Sequence, residues 1–316
     1  MGARLSSIPN IVGANMPNEN YAEYDNRGWE ASLSHTHRVG QFRYSVGGNI
    51  SWNREKCVFK DQAEFASQEA RRTGNVIGEY TDRWWTYPTD GLFKSFDEIQ
   101  NWADIDGKNN ATVKPGDVKF IDTNKDGKIT WDDVIIAGRG TYPRFTYGLT
   151  MSASWKGFEL SMLWQGAGLY NYNLRSSPDL TYPFYASNTP TTEMYGHSYV
   201  PEGNPWMEPN TDAKWPLYRT DSYNRSLMTY KTSSQFWLIN GAYIRLKNIM
   251  LGYNLPQKLV EKAGFQKCKV YISGYNLLTF SALDFVDPEI DTSPARTFGD
   301  YHPPLGNYNV GVIVNF

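Results

Sequence analysis

The clearest metal-binding chemistry in this sequence lies in an acidic loop that begins at Asp122 and ends at Asp133. Oxygen-bearing side chains occupy every second position at its start, and a glycine, an apolar residue and a closing carboxylate follow. This spacing matches the D-x-[DN]-x-[DN]-G pattern of calcium loops. The sequence therefore predicts a structural calcium ion, whose ligands are Asp122, Asn124, Asp126, the carbonyl of Lys128 and Asp133.

Two features of this loop leave a metal-free alternative open. The last position holds Asp where EF-hands have the longer Glu, and no helix clearly precedes the loop. Asp and Asn side chains also close turns by accepting hydrogen bonds from their own backbone. In either case the predicted role of the loop is structural and not catalytic.

Other residues whose side chains could bind a metal ion or take part in catalysis form weaker patterns. His35 and His37 share one face of a predicted strand, but no third metal ligand accompanies them, so we interpret them as residues beside a turn. The sequence has no nucleophile elbow, no zinc-type histidine pair and no phosphate-binding loop. Nothing in it favours an enzyme.

Composition narrows the class of protein. The 316 residues include 31 basic and 33 acidic side chains, and a net charge of -2 gives no reason to expect a nucleic-acid partner. The mean hydropathy is -0.56, and no apolar run is long enough for a transmembrane helix. A membrane-spanning β-barrel is not excluded, because its apolar residues alternate with polar ones. The N-terminus lacks a signal-peptide pattern, which predicts either a cytosolic protein or the later part of a longer one.

The strands next to the acidic loop carry a strong alternating pattern. From Phe145 to Trp155 apolar residues fall at every second position, and the pattern restarts at Phe158 after Lys156 and Gly157. Period-two alternation interrupted by a glycine-containing turn predicts an antiparallel hairpin. Similar alternation predicts an all-β chain with seven antiparallel strands, near 24–37, 41–53, 142–155, 158–170, 236–253, 269–280 and 305–316.

The connections between these strands follow a rhythm. In order they are short, long, short, long, medium-short and long, as in an outer-membrane barrel with short periplasmic turns and long extracellular loops. A short helix is predicted near Asp61 to Arg71, in the first long connection. Up-and-down alternation places Cys57 and Cys268 on opposite sides of the membrane, so we predict that they form no disulfide. Alternation in the fifth strand is imperfect, and Arg245 and Lys247 are predicted to point inward.

Pieces spread over almost the whole chain resemble the SusC/RagA-type TonB-dependent outer-membrane transporters of Gram-negative bacteria. They occur in the family's order: IPNIVGANMPNE with NRGWEASLS, RRTGNVIGEY with DGLFKSFDEI, GDVKFIDTNKDGKI with PRFTYGLTMSASWKGFELSMLWQG, GAYIRLKNIMLGYNLP, KVYISGYNLLTFSALDFVDPE and the aromatic C-terminus.

This resemblance implies that the chain is the C-terminal part of a 22-stranded barrel, without the plug and the other N-terminal domains. It further implies import of an oligosaccharide or oligopeptide, with TonB reached through the missing N-terminal region. A SusD-like surface lipoprotein is the implied partner, and outer-membrane lipid is the implied environment.

The barrel interpretation assigns the two faces of the strands to different surroundings. Polar residues would line the lumen, namely Arg43, Asn49, Glu159 and Gln165. Apolar residues would meet lipid, namely Val46, Leu149, Leu160 and Val312. The alternative is a secreted, calcium-stabilised β-sandwich that binds carbohydrate, in which the apolar residues would be buried between two sheets.

Aromatic residues in the long connections form the last candidate group. They could stack on sugar rings or contact a lid protein, but packing against one another is at least as strongly expected. The candidates are Trp84, Trp85, Trp206, Trp215, Tyr218 and Tyr223.

Overall fold

A single antiparallel sheet of seven strands organises the computed structural model. The structure describes residues 2–3, 18–19, 22–174, 192–219, 234–283, 285–289 and 304–316. Each strand of the sheet pairs with its neighbours in chain order, so the predicted up-and-down, all-β architecture is confirmed. The strands are β1 (Glu23–Val39), β2 (Phe42–Phe59), β3 (Phe145–Trp155), β4 (Phe158–Gly168), β5 (Tyr243–Asn254), β6 (Lys267–Ser281) and β7 (Asn307–Asn315).

Shorter elements lie before and between these strands. The helices are α1 (Gln68–Gly74), α2 (Phe96–Gln100) and α3 (Gln257–Lys262), with 3-10 turns at Trp131–Asp133 and Gln235–Trp237. Among the described residues, four two-stranded sheets pair Gly2–Ala3 with Asn18–Glu19, Arg83–Thr86 with Ile135–Arg139, Thr89–Leu92 with Val118–Phe120, and Asn171–Asn173 with Leu238–Asn240. No helix in the described part of the chain has the length and apolar character needed to cross a membrane.

Two elements differ from the sequence-based expectation. The first helix begins at Gln68 and not near Asp61, because the hydroxyl of Ser67 accepts a hydrogen bond from the amide of Ala70 and caps it there. The fifth strand was expected from residue 236, but the strand in the large sheet begins at Tyr243. The residues before it form the 3-10 turn and a short strand that pairs elsewhere.

The hairpin between β3 and β4 forms as predicted. Trp155 pairs with Phe158 across a two-residue turn, in which Lys156 and Gly157 have φ angles of 46° and 90°. Positive φ at both central positions is characteristic of the type I′ turn, whose twist suits a hairpin. This register determines on which face of the sheet each residue of the two strands lies.

One face of the sheet is apolar and the other is polar. A row on one face joins Met151, Met162 and Ile249, whereas a row on the other face joins Gly148, Gln165 and Arg245. The four residues predicted to meet lipid all remain accessible: Val46, Leu149 and Leu160 are partly exposed and Val312 is exposed. A sandwich would bury them between two sheets, so their exposure argues against that alternative.

A bulge explains the imperfect alternation of β5. The pairing of β5 with β4 shifts register between Leu163 and Trp164, and its pairing with β6 shifts between Leu246 and Asn248. Lys247 is the residue outside both registers. A bulge changes the direction of side chains locally. Lys247 and Asn248 can therefore both avoid the apolar face, although they are consecutive in the chain.

The main hydrophobic core lies outside the sheet. The connections after β2, β4 and β6 emerge at the same end of the sheet, and their described residues share one buried cluster. We call the described residues of 60–144, 169–242 and 282–306 the cap. Among the most deeply buried cap residues are Tyr87, Phe93, Phe120, Val134, Leu174 and Trp237.

The two cysteines lie at opposite ends of the sheet. Cys57 is buried near the cap end of β2, whereas Cys268 pairs with Val314 near the opposite end of β6. Both thiols are free.

Candidate functional site

The first and second long connections are joined into one body by backbone and charged contacts. The amide of Leu217 donates to the carbonyl of Gly116 at 2.8 Å. Arg219 forms a 2.5 Å ion pair with Asp117, and both side chains are almost completely buried. An exposed pair, Lys94 with Asp212 at 2.6 Å, links the same two connections at their surface. The buried pair holds the two connections together where solvent cannot screen it.

The third long connection joins the same body through aromatic contacts. Phe285 packs edge-on against Trp215, with ring centroids 5.7 Å apart, and Leu283 is buried in the core. Trp215 in turn stacks on Trp237 at 6.0 Å. All three connections therefore share the core of the cap.

A buried arginine on the polar face of β5 holds the third connection. The guanidinium of Arg245 makes ion pairs with Asp287 at 2.7 Å and Glu289 at 2.5 Å, and its Nε donates to the hydroxyl of Thr279 at 2.8 Å. The Nε, Nη1 and Nη2 atoms each make one of these contacts, and the planar fork of an arginine suits paired carboxylates. The third connection is thereby tied to the sheet.

Glu289 receives bonds from three residues of the same strand. Besides Arg245, Lys247 pairs with it at 2.6 Å and the hydroxyl of Tyr243 donates to it at 2.9 Å. Burial alone would raise the pKa of Glu289, but the hydrogen bonds from Lys247 and Tyr243 and the charge of Arg245 hold the pKa below its usual range. The predicted inward direction of Arg245 and Lys247 agrees with these contacts.

A second charged cluster ties the first connection to the strand ends. Asp82 accepts from Arg54 of β2 and from Arg144, which directly precedes β3. The guanidinium of Arg54 also lies 3.5 Å from the ring centroid of Tyr80. The cap is therefore anchored to the sheet at two separated places.

The four residues predicted to line the lumen share the polar face. Arg43 and Glu159 each pair with Ser154, and Asn49 and Gln165 each pair with Gly148. Arg43, Asn49 and Gln165 are exposed. Glu159 is held by Lys269 at 2.5 Å and Asn254 at 2.7 Å.

The acidic loop is closed by hydrogen bonds to its own backbone. The carboxylate of Asp122 accepts from the amides of Lys125 and Gly127 at 2.7 and 2.8 Å, and Asp126 accepts from the amide of Lys128 at 2.8 Å. The side-chain oxygen of Asn124 accepts from the amide of Asp126 at 3.0 Å. These bonds are the Asx turns of the metal-free alternative.

Asp133, the closing carboxylate of the loop, is fully buried. It accepts from the amides of Thr123 and Thr130, both at 2.8 Å. Within the described ranges, no group of three or more His, Cys, Asp or Glu side chains is arranged to hold a metal ion. Calcium binding by the loop stays a prediction.

The two histidines of β1 are stacked side by side. Their ring centroids are 6.0 Å apart, and the Nε2 atom of His35 lies 3.3 Å from the hydroxyl of Tyr44. This is an aromatic cluster near the turn between β1 and β2.

The aromatic candidates of the connections have different environments. Trp215 is buried in the cap, whereas Trp84, Trp85 and Tyr218 are partly exposed. Trp206 is 89% exposed. Tyr223 lies outside the described residues. The structural residues that sequence reasoning missed are Asp117, Arg219, Trp237, Asp287 and Glu289.

Curated proteins with sequences similar to this chain are TonB-dependent receptors. No family model matches the chain. Two curated proteins of Formosa agariphila, TonB-dependent receptors P3 and P26, are each 28% identical to it and cover 98% and 90% of it. The predicted resemblance to TonB-dependent transporters is confirmed. The chain spans 30% and 27% of the lengths of these two receptors.

Solved structures of a peptide transporter share the fold. The structure of the RagAB peptide transporter superposes with a TM-score of 0.65 at 18% identity, covering 98% of this chain and 31% of that one. The RagAB peptide importer in its closed-closed state gives a TM-score of 0.62 at 20% identity, covering 98% and 32%. The seven-stranded sheet and the cap together therefore have the fold of a segment of such a transporter.

Proposed function

We propose that this chain forms part of the barrel wall and the outer loops of a SusC-like TonB-dependent importer in the outer membrane of a Gram-negative bacterium. The observation that carries the proposal is a single sheet with one apolar and one polar face. A barrel wall needs lipid on one side and a watery lumen on the other. The homologous receptors supply the family-level activity.

The substrate class we propose is an oligopeptide or oligosaccharide. The similar solved structures are of a peptide transporter. The SusC/RagA group, which the chain resembles, also includes glycan importers. The mechanism is gated uptake past the polar face, with no covalent chemistry. We further propose that a SusD-like lipoprotein covers the cap side and that TonB acts through an N-terminal region of the complete protein.

Charge placed on the apolar face tests the membrane orientation. We expect Met162→Arg to destabilise the complete transporter in its bilayer by about 2–4 kcal/mol, because the side chain would enter lipid near the middle of β4. The measurement is urea unfolding in lipid vesicles, together with the amount of protein assembled in the outer membrane.

The adjacent Ser161→Arg is the matched control, because it places the same charge on the polar face of the same strand. We expect it to leave assembly close to wild type. Equal loss from the two variants would contradict the assignment of faces, and with it the barrel-wall proposal.

Calcium binding by the acidic loop is a separate proposal, which rests on ligand spacing alone. If calcium binds, amides of 122–133 in the complete protein should exchange more slowly with added calcium, since a ligand at 100 times its Kd stabilises by about 2.7 kcal/mol. Asp122→Asn should reduce this protection, because the pattern accepts only Asp at this first position, whereas Asp132→Asn, outside the ligand set, should not. Exchange that is unaffected by calcium in the wild type would establish the metal-free turn.

A further inference from the structure

Two arginines lie directly opposite each other beside the turn between β1 and β2. Arg38 pairs with Arg43 in the antiparallel register, so both side chains lie on the same face of the sheet, which is the polar one. The Nε atom of Arg38 donates to the carbonyl of Gly40 at 2.9 Å, and within the described ranges neither guanidinium has a carboxylate partner. Like charges directly opposite each other destabilise a strand pair. The hairpin therefore carries two positive charges that no neighbouring negative charge offsets.

The carboxylate in the same row of the sheet is engaged on its other side. Arg43 pairs with Ser154 of β3, and Ser154 pairs with Glu159 of β4. Glu159 accepts hydrogen bonds from Lys269 at 2.5 Å and Asn254 at 2.7 Å, both on strands farther from Arg43. The charges of Glu159 and Lys269 cancel, so the excess positive charge of this row stays on the two arginines.

A cavity of about 380 Å³ opens on the polar face beside these arginines, and Arg43 and Glu159 are its charged lining residues. Five further lining residues carry small hydroxyl side chains, namely Thr36, Ser45, Ser152, Ser154 and Ser161. The hydroxyl of Thr36 donates to that of Ser45 at 2.9 Å. A volume of this size is ordinary for a pocket that holds a small ligand or one unit of a larger ligand. The cavity thus combines an unpaired guanidinium with a wall of hydroxyls.

A carboxylate is the ligand group that this arrangement suits. The planar fork of a guanidinium binds a carboxylate through two parallel hydrogen bonds, and the charge of Arg38 adds to the attraction that Arg43 exerts. Serine and threonine hydroxyls both donate and accept, so they fit the polar groups that flank a carboxylate in a peptide or an acidic sugar. A neutral ligand would leave the charge of the two arginines without compensation.

We propose that this cavity is a subsite that binds a carboxylate of the transported oligomer through Arg43, with Arg38 beside it. The inference rests on the proposed transport function, and it narrows the cargo to oligomers that carry a carboxylate. Two sources share this chemistry: a peptide, at its C-terminus or an acidic side chain, and an oligosaccharide that contains uronic acid. A bound carboxylate would also offset the repulsion between the two arginines.

Equilibrium binding to the complete transporter tests the subsite with two pairs of probes. N-acetylated hexa-alanine with a free C-terminal carboxylate is compared with its amide, and trigalacturonate is compared with its methyl ester. We expect at least one acid to bind about tenfold to a hundredfold more tightly than its neutral partner, the range for hydrogen bonds to a charged group. The pair that shows the preference identifies the source of the carboxylate. The absence of a preference in both pairs would overturn the subsite.

Variants of the arginines assign the preference to this cavity. Arg43→Gln should abolish the preference for the acid and leave the affinity of the neutral probe unchanged, and Arg38→Gln should reduce the preference. Arg43→Lys keeps the charge but loses the fork, so its preference should be intermediate. Arg71→Gln, which changes an exposed arginine of α1, is the matched control and should bind as the wild type does. Equal loss of the acid and the neutral probe in Arg43→Gln would contradict the proposal.

Hydrogen exchange distinguishes a binding role from a structural one. Because Arg38 and Arg43 repel each other, Arg43→Gln should leave the exchange of β1 and β2 amides unchanged or slow it when no ligand is present. Faster exchange in this variant would mean that Arg43 stabilises the hairpin, and it would overturn the proposal. Failure of the wild-type transporter to import any peptide or glycan would instead overturn the proposed function, while the binding preference would still decide whether the subsite exists.

Discussion

Asp117→Asn is expected to weaken the cap by about 3–5 kcal/mol, because it removes the negative charge from the buried ion pair between Asp117 and Arg219. The amide has nearly the same size as the carboxylate, so the change isolates charge from packing. Asp117 also accepts from the amide of Lys114 at 2.7 Å, and an amide oxygen can keep that bond. The measurement is the opening free energy of cap amides, by native-state hydrogen exchange of the complete transporter.

Asp212→Asn is the control for this prediction. Asp212 pairs with Lys94 and so links the same two connections, but this pair lies in solvent. Exposed ion pairs contribute little, so opening of the cap should be nearly unchanged. Similar opening in both variants would mean that the buried pair does not hold the connections together.

The sheet was predictable because its signal is local. Alternation from Phe145 to Trp155, the Lys156–Gly157 turn and the restart at Phe158 each follow from neighbours in the chain. The error at the start of the fifth strand has the same origin. Residues 238–240 do form a strand, but its partner is Asn171–Asn173 and not the large sheet. An alternating pattern predicts extended backbone, but it does not identify the strand with which that backbone pairs.

The cap was not predictable in the same way. Its contacts join residues far apart in the chain: Gln235 donates to the carbonyl of Tyr87, and Arg219 pairs with Asp117. No period marks such residues, because irregular connections bury side chains at irregular spacing. One signal was present, however. Arg245 and Lys247 were expected to point inward, and two cations on an inward face require carboxylates, which the nearby VDPE segment supplies.

Trp237→Ala is expected to produce the other large loss of cap stability, again about 3–5 kcal/mol, the range for truncating a buried aromatic side chain. Trp237 is 1% exposed and stacks on Trp215 with ring planes 13° apart. It also packs against Phe236 at a centroid distance of 4.9 Å. The expected result is faster exchange of cap amides in the complete transporter, with the strands of the sheet retained.

Trp206→Ala is the matched control, since Trp206 is in the same connection but stands almost fully in solvent. A double-mutant cycle then separates the stack from burial alone. Trp215 and Trp237 are in direct contact, so their alanine variants should not be additive. Additive losses would mean that each tryptophan stabilises the cap independently. A coupling of about 0.5–1.5 kcal/mol would locate part of the stability in the stacked pair itself. Phe285 packs against Trp215, so the third connection is in direct contact with this stacked pair.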